Sequence, residues 1–161
     1  MRTGPDYAGA GRSIASMDAA SAPSRIALYL EEIGVEADRR GERGWTVGVP
    51  SAKRGTVGVL ILVRERSLTM RAFIVRAPDR DHLGVYQRLL GKNLTTRDWR
   101  FGIDADGDIY AVADAPLACL DADTLDGLLG SLSSLVDETY ESLVRMGFDL
   151  PAGTTFERSE G

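Results

Sequence analysis

The 161-residue sequence contains one cysteine, Cys119, and one histidine, His82. A single cysteine excludes an intramolecular disulfide, and a zinc site of the usual four cysteine and histidine ligands has only these two to draw on. A lone thiol suits a reducing compartment, and Cys119 is expected to act as a small buried hydrophobe rather than a nucleophile. A serine nucleophile would need His82 as its base, and no serine stands in a G-x-S-x-G context. Long apolar runs are also lacking. The longest strongly apolar stretch is Val57 to Val63, far short of the roughly 20 residues that cross a bilayer. Arg2 and Arg12 are followed by glycine, serine and alanine, with Asp6 between them, where a secretory leader would place an apolar run. A cytoplasmic protein without membrane contact is expected. A phosphate loop is missing too: six residues rather than four separate Gly84 from Gly91-Lys92, and Asn93 replaces the metal-binding hydroxyl. No catalytic residue, cofactor or metal is expected from these patterns.

Hydrophobic residues make up 43% of the chain and charged residues 27%, a balance that supports one packed domain. Residues 1–20, rich in Gly, Ala and Ser, are expected to form a flexible tail, 21–150 the domain, and 151–161 a C-terminal tail. The net charge of -5 is unevenly spread: Pro50 to Arg100 holds 11 basic and 4 acidic residues, and Phe101 to the end holds 2 basic and 13 acidic. These stretches are read as solvated, mutually complementary faces of one fold, with a self-complementary or partner-binding surface as the alternative. The acidic half would oppose phosphate, so nucleic acid is not an expected partner.

Hydrophobic spacing gives the order α-β-β-β-α-β-β-α, an α+β chain with five strands. Ile26, Tyr29, Leu30 and Ile33 mark a first helix, with Ser21 as its cap, Pro23 in its first turn and Gly34 at its stop. Arg39 to Gly44 reads as a charged loop. Trp45, Val47 and Val49 share one face of the first strand. The second strand, Thr56 to Arg64, is apolar on both faces, because Leu60 and Leu62 alternate with Val57, Val59, Ile61 and Val63. Such a strand is either central or covered by a partner on its second face. In the third strand, Leu68 to Arg76, Phe73 and Val75 are assigned to the face of Thr69 and Arg71.

Asp79 or Asp81 caps a second helix with Leu83, Tyr86, Leu89, Leu90 and Leu94 as its expected buried stripe. Trp99 to Asp104 and Asp108 to Ala113 pair through a two-residue turn at Asp106-Gly107, which sets Ile103 opposite Tyr110 and Phe101 opposite Val112. After Pro116 a long third helix, about Ala122 to Met146, carries leucines at helical spacing, with Asp121 and Asp123 at its start and Arg145 at its end.

Asp104, Asp106 and Asp108 alternate as in a calcium loop. Counting from Asp104, however, the sixth position holds Ile109 rather than glycine and the twelfth holds Ala115 rather than glutamate. The string reads as a hairpin turn, with weak cation binding as the alternative.

Several strings together resemble the YbjN family: Tyr29-Leu-Glu-Glu-Ile-Gly34, Gly44-Trp-Thr-Val47, Phe73-Ile-Val-Arg-Ala-Pro78, Leu89-Leu-Gly-Lys-Asn93, Phe101-Gly-Ile-Asp-Ala-Asp-Gly-Asp-Ile-Tyr110 and Met146-Gly-Phe148. The resemblance implies a type III secretion chaperone-like fold, in which the five strands form an antiparallel sheet with helices packed on it, a homodimer, and binding of segments of other proteins, with no catalytic residue set. The expectation is a non-enzymatic protein-binding module, either a regulator or adaptor or a chaperone. Leu60, Leu62, Arg64, Arg66 and Arg71 are its partner-binding candidates. The alternative is a small-molecule or cation sensor using Asp104, Asp106 and Asp108.

Overall fold

The computed structural model describes residues 18–150. Both expected tails, apart from a turn at Asp18 to Ala20, lie outside the described residues. The elements in chain order are α1 (Ala22–Glu32), β1 (Ala37–Arg39), β2 (Gly44–Ser51), β3 (Gly55–Val63), β4 (Ser67–Val75), α2 (His82–Asn93), β5 (Arg100–Ile103), β6 (Ile109–Pro116) and α3 (Ala122–Gly147). A single 3-10 turn at Leu117–Cys119 separates β6 from α3.

The strands form one antiparallel sheet in the order β1-β2-β3-β4-β6-β5. It has one strand more than expected. The extra strand, β1, includes the start of the charged stretch read as a loop. Its three residues are all exposed and carry no apolar alternation, so β2 supplies the order: Ala37 pairs with Val47 and Arg39 with Trp45. The Arg39 guanidinium lies 4.5 Å above the Trp45 ring, a cation–π contact that fastens the short strand.

Alternation along the central strands separates the two faces. Trp45, Val47, Val49, Val57, Val59, Ile61, Val63, Leu68, Met70, Ala72, Ile74, Ile109, Ala111 and Ala113 are all buried. The stripe of α3 that meets this inner face includes Leu125, Leu128, Leu129, Leu132, Leu135, Val136 and Leu143. Each fully buried aliphatic side chain contributes about 1.5–3 kcal/mol relative to exposure. Polar anchors set the position of α3. Asp137 accepts from the Ser51 hydroxyl at 2.5 Å and from the Lys53 N–H at 3.1 Å. Trp99 Nε1 donates to the Leu128 carbonyl at 2.9 Å. Asp121 caps the helix by accepting from the Thr124 N–H at 2.8 Å. The hydroxyl and then the N–H of Thr124 hold the Asp121 carboxyl below its ordinary pKa. Ile26 and Leu30 of α1 complete the core.

Four expectations change. Ser21 occupies the cap position of α1, but its hydroxyl donates to Asp18 at 2.7 Å instead of accepting from the helix. The β5–β6 hairpin is also one residue out of the expected register: Ile103 pairs with Ile109 and Phe101 with Ala111. Its loop has three central residues, closed by Asp104 N–H to Asp108 C=O at 3.1 Å and Gly107 N–H to Asp104 C=O at 3.1 Å. Only Gly107, at φ +85°, needs the left-handed region, whereas a two-residue turn would have required positive φ at Asp106 as well. Cys119, third, is exposed rather than buried, because the 3-10 turn points it outward while Leu117 faces the core.

The fourth change is the rotation of α2. Val85 and Leu89 are buried, Tyr86 is half-buried, and Leu83, Leu90 and Leu94 are 69%, 65% and 89% exposed. The start of α2 is pinned to the end of α3, since the Asp79 and Arg80 N–H groups both donate to the Gly147 carbonyl. A Cβ on Gly147 would lie 3.0 Å from Pro78 and from Val85, which shows how closely the segments approach. Asp81 caps α2 through the Gly84 N–H at 3.1 Å. Further along, Arg88 donates to Ser142 and Lys92 pairs with Glu138, both on α3. These ties select the Val85–Leu89 edge as the buried one and turn the leucine-rich edge outward.

Candidate functional site

The strand register places a second set of residues on the outer face of the sheet. One row crosses it as Asp38, Thr46, Leu60, Arg71, Val112 and Arg100. A neighbouring row contains Gly44, Leu62, Thr69 and Asp114. Another pairs Gly48 with Gly58 on one side and Phe73, Tyr110 and Gly102 on the other. The helices pack on the inner face, so Leu60, Leu62, Tyr110 and Val112 remain half-buried and Phe73 is 38% exposed.

Ring contacts order the middle of this face. Phe73 and Tyr110 meet edge to face at a centroid distance of 5.5 Å, and the Arg71 guanidinium lies 3.8 Å from the Tyr110 ring centroid. Asp114 accepts from the Thr69 hydroxyl at 2.7 Å. Arg100 donates to the carbonyls of Thr96, Arg97 and Trp99. Among the described residues, no carboxylate forms an ion pair with Arg71 or Arg100. The face therefore combines apolar side chains with positive charge near its centre, and lacks a covering layer among the described residues.

A second apolar surface runs along α2 and the edge strand β5. Leu83, Leu90 and Leu94 repeat at spacings of seven and four, which places them along one side of a helix. Ile103, 51% exposed, stands beside them. Between α2 and β5 lies a small apolar cavity of about 110 Å³ lined by Tyr86, Leu89, Leu90, Phe101, Gly102 and Ile103.

The acidic hairpin has a different use. Asp104 Oδ1 accepts from the N–H groups of Asp106 and Asp108, both at 3.0 Å, and Asp108 Oδ1 accepts from the Ala77 N–H at 2.8 Å. These carboxylates shape the loop and join it to the end of β4. Among the described residues, no group of three or more His, Cys, Asp or Glu side chains is arranged to hold a metal ion. His82 begins α2 and packs edge to face against Tyr86. A polar cleft between α2 and α3, about 400 Å³, is bridged by the Lys92–Glu138 ion pair at 2.5 Å. Among the described residues, no helix is long and apolar enough to cross a membrane.

Of the residues singled out from sequence, the structure brings Leu60, Leu62 and Arg71 together on the outer face. Arg64 lies just past β3 with an exposed side chain, and Arg66 sits in the β3–β4 turn, where its carbonyl accepts from the Leu117 N–H. Tyr110, Val112 and the Gly48–Gly58 pair were not singled out. Glycines without side-chain chemistry give no signal of shared position until β2 and β3 are aligned. Tyr110 and Val112 were given the wrong partners by the one-residue hairpin shift.

Comparison with known proteins agrees with this architecture. The chain is 33% identical over 102 residues to the uncharacterized protein ML2442 of Mycobacterium leprae, covering 63% of this chain and 55% of that protein. It is 32% identical over 102 residues to the uncharacterized protein Rv0487 of Mycobacterium tuberculosis, covering 63% and 56%. The match thus spans little more than half the length of these curated relatives. The crystal structure of YbjN from E. coli is similar with a TM-score of 0.58 at 10% identity, over 74% of this chain and 91% of that one. The ExsC-ExsE complex gives 0.57 at 19% identity, over 86% and 100%. The heterodimeric ExoU-SpcU complex from the type III secretion system of Pseudomonas aeruginosa gives 0.51 at 19% identity, over 71% and 97%. At these identities the structural likenesses speak to the fold. The matching family model covers residues 22–145, all the helices and strands except the last two residues of α3, and the chain belongs to the YbjN family, described as "Putative bacterial sensory transduction regulator".

Proposed function

We propose that this chain is a non-enzymatic, protein-binding regulator or adaptor that takes a segment of a partner protein on the outer face of its sheet. One observation carries the reading: an ordered apolar face, with Leu60, Leu62, Phe73, Tyr110 and Val112 around Arg71, has no layer over it among the described residues. An uncovered apolar face of this kind marks an interaction site. Similarity in fold to chains solved as the ExsC-ExsE and ExoU-SpcU complexes supports a binding role. Arg64 and Arg66 extend the positive charge beyond the end of β3 and belong to the proposed surface.

The proposal includes a homodimer joined through the Leu83, Leu90 and Leu94 edge of α2 and the adjoining β5. These residues give a self-complementary apolar stripe that a two-fold axis can close on itself. A stable dimer should bury at least about 1,000 Å² in total. The reading also places the protein in the cytoplasm, where an exposed lone thiol at Cys119 stays reduced. Sensing by the acidic hairpin is the less supported role, because the Asp104 and Asp108 carboxylates already bind loop N–H groups.

Site-specific photo-crosslinking tests the reading. A crosslinker at Leu62 should capture one discrete protein partner in cells, and one at exposed Asp126 on α3 should not. The Arg64→Glu, Arg66→Glu and Arg71→Glu combination should weaken that capture. Equal capture from both positions would remove the outer face as the docking site.

A further inference from the structure

Gly48 and Gly58 face each other directly across β2 and β3. They leave a strip of bare backbone on the outer face. On its β1 side the strip opens into a depression of about 580 Å³ lined in part by Val35, Asp38, Thr46, Gly48, Pro50 and Gly58. A Cβ added to Gly58 would meet nothing within 4 Å, so the space above that residue is open. Leu60 stands two residues along the same strand. Arg71 is directly opposite Leu60 and therefore diagonal to Gly58, about 7–8 Å away by sheet geometry.

The charges around this strip are not symmetric. Arg71 and Arg100 share a row, two strands apart, and neither is ion-paired with a carboxylate among the described residues. The acidic side chain nearest them on this face, Asp114, is engaged by Thr69. Asp38 lies at the far β1 edge, with Thr46 and Leu60 between it and Arg71. Glu36 lines the depression on the same rim as Asp38.

From this arrangement we infer the chemistry of the docked segment: an acidic amphipathic stretch that seats one large apolar side chain on the Gly48–Gly58 floor and directs a carboxylate to Arg71. The inference rests on the reading that the outer face docks a protein segment, and it adds what that segment must carry. The Arg71 guanidinium lies over Tyr110, one strand beyond β4, so it stands about 10 Å from the floor by strand spacing, which suits an apolar and an acidic residue four positions apart in an extended chain, or two turns apart in a helix. Arg100, held by the carbonyls of Thr96, Arg97 and Trp99, adds positive charge at the β5 end of the same row. Glu36 and Asp38 repel acidic residues from the β1 rim, which sets the direction in which the segment lies.

Two synthetic peptides with the same leucine spacing, one carrying glutamates and the other lysines, test the inference by amide chemical-shift titration of the full chain up to millimolar peptide. The glutamate peptide should shift Gly58, Leu60, Arg71 and Tyr110, and the lysine peptide should bind at least tenfold more weakly. Gly58→Val, which fills open space at an ordinary strand position, should keep the thermal transition and reduce binding at least tenfold. Arg71→Glu should do the same, and Asp38→Lys should leave binding equal or stronger. Equal or tighter binding of the lysine peptide at the same residues would overturn the acidic chemistry and keep the docking face. Absence of shifts on this face with either peptide would overturn both. Without peptide, a changed sedimentation coefficient in Gly58→Val would make a second copy of the chain the occupant. Peptide-induced shifts of residues 1–17 or 151–161 toward random-coil values, together with shifts on this face, would make a displaced terminal segment of the same chain the occupant. Either result would overturn the inference.

Discussion

Leu60 and Ile61 are adjacent in β3 and chemically alike, yet they belong to different regions of the molecule. Ile61 is fully buried in the layer between the sheet and α3, while Leu60 is half-exposed on a surface that no helix covers among the described residues. The inner face holds aliphatic side chains in continuous contact, and its sparse polar groups, such as Asp137, serve to orient α3. The outer face mixes leucines and aromatics with arginines, bare glycine backbone and a threonine–aspartate pair. Burial drives folding on the first face. The second retains a capacity for burial that folding of the described residues leaves unused, and that unused capacity is what the proposed docking surface has and the core does not.

The contrast is sharpest under truncation. Ile61→Ala should cost about 2–5 kcal/mol in denaturant unfolding, through lost transfer energy and the cavity left behind. Leu60→Ala should cost about 1 kcal/mol or less, in line with its partial burial. Equal losses would mean that something covers the outer face in the isolated chain. Gly107→Val comes next. It forces a branched side chain into φ +85° and sets a Cβ 3.0 Å from the Tyr86 hydroxyl oxygen, so a loss of about 1–3 kcal/mol is expected. Because this hairpin sets the position of Tyr110, the variant should also change the amide shifts of the outer face.

Leu90→Glu with Leu94→Glu should halve the mass observed by sedimentation and leave the unfolding midpoint of the monomer nearly unchanged, since both side chains are exposed. A wild-type chain that is monomeric at high micromolar concentration would remove the dimer from the proposal. The smallest effect belongs to Asp121. Its folded pKa is lowered, so the stability it adds is complete above the unfolded value of about 3.9 and is lost as pH falls through the lower folded value. Asp121→Asn keeps a capping oxygen without that titration, and its melting temperature should fall less than that of the wild type between pH 6 and pH 3.

Much of the architecture was legible because pattern and packing agree. The α3 leucines keep helical spacing, and β3 shows alternation on both of its faces. Leu60 and Leu62 drew notice for that reason. Phase was harder to read. In α2, five apolar positions suggested a stripe, but the Asp79 and Arg80 contacts to Gly147 turn Val85 inward and three leucines outward. Nothing local in α2 encodes the location of Gly147. The hairpin erred for a related reason: Asp-Gly suits a two-residue turn, and also the three-residue loop that Asp104 stabilises by accepting from Asp106 and Asp108. Strand β1 was missed because its order comes from β2, and the Gly48–Gly58 floor because it exists only between two paired strands.

The outer strands of this sheet are its shortest, three residues in β1 and four in β5. Strand β1 pairs with β2 only from Trp45 to Val47, so the remainder of β2 runs past it with no neighbour on that side among the described residues. Pro50 occupies this overhang and has no N–H to offer an incoming strand. Asp38 and Arg39 place opposite charges on the protecting strand itself. A protein that leaves an apolar sheet face open risks stacking into fibres if its rim can also recruit strands. Here the rim is short, charged and interrupted by proline, so contact can occur through the face while growth along the edge is blocked.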